Sequence, residues 1–201
     1  MIQLSKGGTI NLSKSASKGL KNLCFGVNWG QIQKKGMFGF GGSKESVDLD
    51  ASVILYDSNK NFVDKVYFGH TKSRDGSIYH TGDDRSGDTQ ADDSDNEVIV
   101  ADLEKISSEI KYIAVVLHSF SGQNFGELPY ANLRVYTGAK NVPTEILATF
   151  KVANEPLFQN KVSMILGVAV KEIDGWKFKV IGEPLTDRRL EETQKTAINF
   201  L

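Results

Sequence analysis

Short apolar runs recur along the chain at 52–56, 62–68, 98–103, 112–117, 133–136, 146–150, 162–170 and 176–181. Most are rich in Val, Ile, Phe or Tyr, and most are bounded by Gly, Asp, Asn or Ser. Branched and aromatic side chains suit a pleated, half-buried surface, and the bounding residues favour turns. Runs of this length at this spacing predict an all-β fold, a β-sandwich of two mainly antiparallel sheets. In "IDGWKF" (173–178), Asp174-Gly175 between two apolar runs predicts a hairpin turn. Gly122, Asn124 and Gly126 mark a loop before the 133–136 strand. Helical patterning is confined to 185–201, where Leu190, Ala197 and Ile198 recur among charges and predict a short C-terminal helix, and to a single turn at 104–110. "LSK" occurs at 4–6 and 12–14, which fits a strand–turn–strand better than a repeat architecture. No linker composition interrupts the chain, so it reads as one domain over 1–201, with a core of about 2–184 and a helical tail of about 185–201.

Composition narrows the function. With 201 residues and 40% apolar content, the chain can bury a full core. No run of 18 or more apolar residues suggests a membrane span, and the start "MIQLSKGGTINLSK" lacks the apolar stretch and cleavage site of a secretory signal. Cys24 is the single cysteine, which fits a cytoplasmic location. Lys and Arg are dispersed, without a stripe or an RNA-type motif, which disfavours nucleic acid. The net charge of −1 hides an asymmetry: "GDDRSGDTQADDSDNE" (82–97) holds seven acids and one base, so the rest of the chain is basic.

That segment raises the chemical question. Seven carboxylates in sixteen residues repel one another unless something offsets them. An acidic stretch of this kind is either a solvated loop or one wall of a cation site. In "VDLDAS" (47–52), Asp48, Asp50 and Ser52 alternate with Val47, Leu49 and Ala51, so a strand here would turn two carboxylates and a hydroxyl to one face. All candidate ligands are oxygens, the preference of hard cations, and of Ca²⁺ more than Mg²⁺. Zinc is disfavoured because His70, His80, His118 and Cys24 have no ligand spacing. The EF-hand register fails too: the sixth and twelfth positions from Asp48 are Val53 and Asn59. "GMFGFGGSK" (36–44) lacks the Lys that a phosphate loop needs, since Gly41 is followed by Gly42 and Ser43. There is no Gly-x-Ser-x-Gly, and the scattered histidines and Trp29 and Trp176 read as ordinary surface or core residues.

The segments "LSKGGTINLSK", "VDLDAS", "SRDGSIYHTGDDRSGD", "DNEVIVADL", "GQNFG" and "GWKFKVIGE" occur in this order. Together they resemble the TerD family of tellurite-resistance and stress-response proteins, from about residue 2 to residue 184. The resemblance implies a two-sheet β-sandwich with two calcium ions in acidic loops at one end. It also implies a cytoplasmic bacterial role in resistance to tellurite, phage and other stresses, and no catalysis. Implied partners are other Ter-type proteins and a membrane-bound Ter complex. Asp48 and Asp50 match the family's Asp-x-Asp, and Asp83 and Asp84 match the pair after His-Thr-Gly. Asp95, Asn96 and Glu97 stand where Gly-Asp-Asp-Glu is commoner, and the loop is longer here, so Asp92 and Asp93 in the extension are secondary candidates. Gly69 and His70 replace two Asn found in many relatives, which implies two unequal sites: a tighter one built around Asp83, Asp84 and 95–97, with Asp48 or Asp50 reaching across, and a weaker one. The function implied is a calcium-ordered interaction module. The alternative is a calcium-dependent membrane-surface module acting as C2 domains do, since Met37, Phe38 and Phe40 lie eight to eleven residues before Asp48.

Overall fold

Alternation along the strands decides what each face buries. In the strand Leu49–Tyr56, the side chains of Leu49, Ala51, Val53 and Leu55 enter the core between the sheets, and Asp50, Ser52, Ile54 and Tyr56 take the opposite face. In Asn22–Trp29, Leu23, Phe25, Val27 and Trp29 enter the same core. The computed structural model describes residues 2–34, 42–152 and 156–201. Met37, Phe38 and Phe40 lie outside the described residues.

Among the described residues, two six-stranded sheets face each other. The first runs, in spatial order, β1 (Ile2–Gln3), β12 (Val142–Lys151), β11 (Ala131–Ala139), β3 (Asn22–Trp29), β9 (Glu97–Asp102) and β8 (Ile78–His80). The second runs β2 (Thr9–Asn11), β14 (Gly175–Leu185), β13 (Ser163–Glu172), β10 (Tyr112–Ser119), β6 (Leu49–Tyr56) and β7 (Phe62–Val66). Pairing is antiparallel throughout these sheets except between β1 and β12. A small ribbon, β4 (Ile32–Lys34) with β5 (Ser43–Glu45), stands apart. The all-β sandwich expected from the apolar runs is the fold observed.

Three local expectations shift. The second "LSK" is helical: Leu12–Ser15 forms one α-helical turn, α1, because the Asn11 side chain accepts the Lys14 N–H at 2.9 Å and caps it. Residues 104–110 form hydrogen-bonded turns and no helix; Asp102 O accepts from Lys105 and Ile106, and Ser107 then opens a separate turn to Ile110. The hairpin turn falls one residue early, on Ile173 and Asp174, with Gly175 already paired to Glu172 and free to adopt φ +113°.

The C-terminal tail gives the second sheet its cover. Helix α2 (Leu190–Ala197) and the 3₁₀ turn Ile198–Phe200 lie on the outer face of β6, β10, β13 and β14, where Ile54, Tyr56, Ala114, Val116, Val168 and Ile181 would otherwise meet water. The Tyr56 hydroxyl donates to the Gln194 carbonyl at 2.5 Å, and Lys65 pairs with Glu191 at 2.5 Å. Ala197 is fully buried in this layer. Ala197→Arg is expected to lift the tail and cost about 3 kcal/mol, since overpacking and charge burial both oppose closure. Thermal melting and binding of an apolar dye check this; an unchanged melt without dye binding would mean the tail contributes no cover.

Candidate metal centre

The acid loop is anchored at both ends by backbone bonds. Thr81 N–H donates to Val98 O, Val47 N–H to Ser86 O, Asp88 N–H to Trp29 O and Gln31 N–H to Asp88 O, all at 2.9–3.0 Å. Two glycines permit this close seating. A Cβ at Gly87, which sits at φ +69°, would press on the Trp29 indole, and one at Gly26 would overlap the Asp95 carboxylate.

The carboxylates then separate by what satisfies them. Glu97 is fully buried and accepts from Ala51 N–H (2.7 Å) and Asp84 N–H (3.1 Å), with His80 Nε2 at 3.2 Å. The bond to Ala51 has a structural cause: β7 pairs with β6 only from Val53 onward, so Ala51 stands on an open edge and needs another acceptor. Burial raises the Glu97 pKa, and the His80 and backbone contacts oppose that. Asp95 lies on the first sheet's outer face, paired with Arg134 Nε at 2.8 Å. Asp84 accepts from Ser86 N–H, Ser86 Oγ, Gly87 N–H and Asn96 Nδ2; burial works against its charge, yet these donors hold its pKa below the usual value. Asp92 is exposed and caps Ser94 N–H at 2.7 Å, and Asp93 is exposed.

Asp48, Asp50 and Asp83 remain. Their oxygens lie within 4.8 Å of one another, and the three could hold a metal ion. Two oxygens bound to one calcium at its usual distances are at most about 5 Å apart, so the spacing fits. With Phe68, Arg85 and Phe120 they line a cleft of about 120 Å³. Arg85 pairs with Asp83 at 3.1 Å. Asp50 is 7% exposed, and among the described residues no donor bonds to its carboxylate or to that of Asp48. Burial, then the charges of Glu97, Asp48 and Asp83, push the Asp50 pKa up to about 8. Burial and Asp83 raise Asp48 as well, against the pull of Arg85. A buried carboxylate without donors, facing two others, is a strong demand for positive charge.

A second oxygen cluster was not anticipated as a unit. Asp88, absent from the sequence candidates, meets Asn96 Nδ2 (2.9 Å), Asn28 Nδ2 (2.6 Å) and the Tyr130 hydroxyl (3.2 Å). Asn96 also reaches Asp84 (3.0 Å), and Asn28 reaches Ser94 O (2.6 Å). The spacing Asp84-x-Ser-Gly-Asp88, an Asx-type turn ending in a second acid, is the signal in the sequence. The residues expected to form one tight site are thus distributed: Asp83 joins Asp48 and Asp50, Asp84 joins Asn96 and Asp88, Asp95 turns to Arg134, and Glu97 serves Ala51 and His80. His70 Nε2 lies 3.6 Å from Asp64.

Fold and site together define a β-sandwich with an oxygen-only acidic cleft at one end. A model of the TerD domain family matches residues 1–195, and the chain belongs to that family. It is 30% identical over 203 residues to the tellurium resistance protein TerZ of Serratia marcescens, covering 99% of this chain and 98% of that protein. It is 32% identical to the stress response protein SCP2 of Bacillus subtilis, covering 95% and 96%. In structure it is similar to a homologue of telluride resistance protein (TerD) from Streptomyces coelicolor A3(2), with a TM-score of 0.63 at 16% identity over 86% of this chain and 95% of that one. Among the described residues no helix is long and apolar enough to cross a membrane.

Proposed function

We propose that this protein is a calcium-binding, non-catalytic stress-response module of the tellurium-resistance type, acting in the cytoplasm. Calcium orders the acidic end of the sandwich and presents it to a partner, with other Ter-type proteins as the protein partners. The observation that carries the reading is Asp50: a carboxylate 7% exposed, with no donor among the described residues, within 4.8 Å of Asp48 and Asp83. Three carboxylates supply part of a six- to eight-oxygen shell and leave positions for water or a ligand. The Asp84–Asp88–Asn96–Asn28 cluster is already closed by its own hydrogen bonds. A second ion there must displace those bonds, so it binds more weakly.

Calorimetric titration of EDTA-stripped protein tests this. Two unequal steps are expected, the tighter lost in Asp48→Asn and Asp83→Asn and kept in Asp187→Asn, whose carboxylate instead accepts from Thr193 and Thr196 in the tail. A proton signature accompanies the tight step. With its pKa raised to about 8, Asp50 is mostly protonated at pH 7 without metal, and an ion must displace that proton. About one proton is released at pH 7 and fewer toward pH 9. Repeating the titration in buffers of different ionisation enthalpy measures it; equal heats in all buffers at pH 7 would show that Asp50 is already ionised before the ion arrives.

A further inference from the structure

Beside the acidic cleft stands an aromatic pair that the core does not use. Phe120 is 65% exposed and Phe68 37% exposed, and their rings meet edge to face at 5.6 Å. Tyr67 continues the ladder at 5.4 Å from Phe68. Single exposed apolar residues are common, but these two phenyls both line the depression formed by Asp48, Asp50, Asp83 and Arg85. On the other flank, Arg188 lines adjoining hollows with Phe120 and Ser119. Its guanidinium makes no ion pair among the described residues, and the Arg85 side chain is 79% exposed beyond its contact with Asp83. Phe68 and Phe120 thus share one hollow with Arg85 and another with Arg188, and Asp50 lines both.

The geometry points to a membrane-docking surface: Phe68 and Phe120 enter the headgroup boundary of an anionic phospholipid layer while Arg85 and Arg188 meet its phosphates. An occupant that is anionic at several points and apolar between them is such a layer. Guanidinium forks match phosphate geometry, and phenyl side chains gain by leaving water. Durable attachment to a membrane needs two signals, and here they are apolar insertion and charge. The inference rests on the calcium reading above. Without a cation, the remaining negative charge of Asp48 and Asp83 opposes anionic headgroups; with one, that charge is offset and the repulsion falls.

The test is co-sedimentation of the full chain with vesicles of phosphatidylcholine, with and without phosphatidylserine, in calcium or EDTA. Binding is expected only with phosphatidylserine and calcium together. The double variant Phe68→Ser/Phe120→Ser should lose vesicle affinity by on the order of a hundredfold, as two exposed phenyls lose their apolar contact. Arg188→Gln should weaken vesicle binding without altering calcium binding. Phe120→Trp should show blue-shifted emission, quenched by brominated lipid, on adding calcium. An unchanged calcium isotherm with no vesicle binding by the parent chain overturns the docking surface and leaves the calcium reading standing. Absent calcium heat overturns the calcium reading itself. Vesicle binding that survives the double Ser variant, or equal retention by glycerophosphoserine in solution, shows headgroup recognition without insertion and also overturns the proposal.

Discussion

Asp50→Asn is expected to stabilise the protein in EDTA and to remove most of its response to calcium. The two effects have one cause. In the metal-free fold the Asp50 carboxyl is raised from its ordinary 3.8 to about 8. A group raised on folding contributes stability that is complete below its unfolded pKa and is lost as pH rises through its folded pKa. Metal-free wild type therefore weakens between about pH 4 and pH 8, and at pH 7 much of that loss has accrued. An amide has no such penalty, so the variant gains about 2–3 kcal/mol at pH 7 in EDTA after allowing for its own unpaired polar atoms. Calcium at a hundredfold excess over its dissociation constant adds about 2.7 kcal/mol to wild type, a rise on the order of 5–10 °C for a chain of this size. In Asp50→Asn that increment should fall below about a third, and magnesium should act weakly on both proteins. Scanning calorimetry at pH 7 in EDTA, calcium and magnesium decides it. A variant that gains as much from calcium as wild type would show that the cleft is not the calcium site, and one that melts lower in EDTA would show that the Asp50 carboxyl carries no such penalty.

Glu97→Ala is expected to destabilise the protein by about 3–5 kcal/mol whether calcium is present or not. Its carboxylate serves Ala51 N–H, Asp84 N–H and His80 Nε2 in a fully buried position. Removing it orphans groups from three separate segments, those of Ala51, Asp84 and His80. It also unfastens the first sheet from the open edge of β6, one residue from Asp50. Calcium affinity should therefore drop indirectly, while the stability loss in EDTA persists. Glu97→Gln keeps the shape and one acceptor oxygen, so it should recover part of the loss. Urea unfolding of both variants in EDTA measures this; equal stability of Glu97→Ala and wild type would mean that the residue is not a fastening.

How far the sequence revealed this molecule follows from how each strand is buried. Strands β6, β9, β10 and β13 are covered on both faces, so they read as continuous apolar runs. Strand β3 does not stand out as an apolar run because Asn22, Cys24, Gly26 and Asn28 break it, although Leu23, Phe25, Val27 and Trp29 alternate with them. Strand β8 has three residues, too few for any period to show. In the site, the alternation of "VDLDAS" correctly placed Asp50 and Ser52 opposite the core residues. The sorting of the loop acids was not legible. It depends on donors that arrive from elsewhere in the chain: Asn28 for Asp88, Arg134 for Asp95, Ala51 for Glu97. Seven acids that look alike in sequence become distinct only when the fold delivers those partners.

Trp29 gives the acidic end its own optical label. Its indole N–H donates to the carbonyl of Val47, the residue before Asp48, at 2.9 Å. Its ring lies against Gly87 of the acid loop. The other tryptophan, Trp176, lies at the start of β14 near the α1 turn, where its backbone N–H donates to Ser13 Oγ at 2.8 Å, far along the sheet from His118 and Asp50. In a Trp176→Phe background, emission excited at the red edge of tryptophan absorption, beyond that of the tyrosines, comes from a single indole that touches the two segments that supply Asp48 and Asp83. Events in the cleft can then be followed by light alone, without an attached dye and without altering a carboxylate.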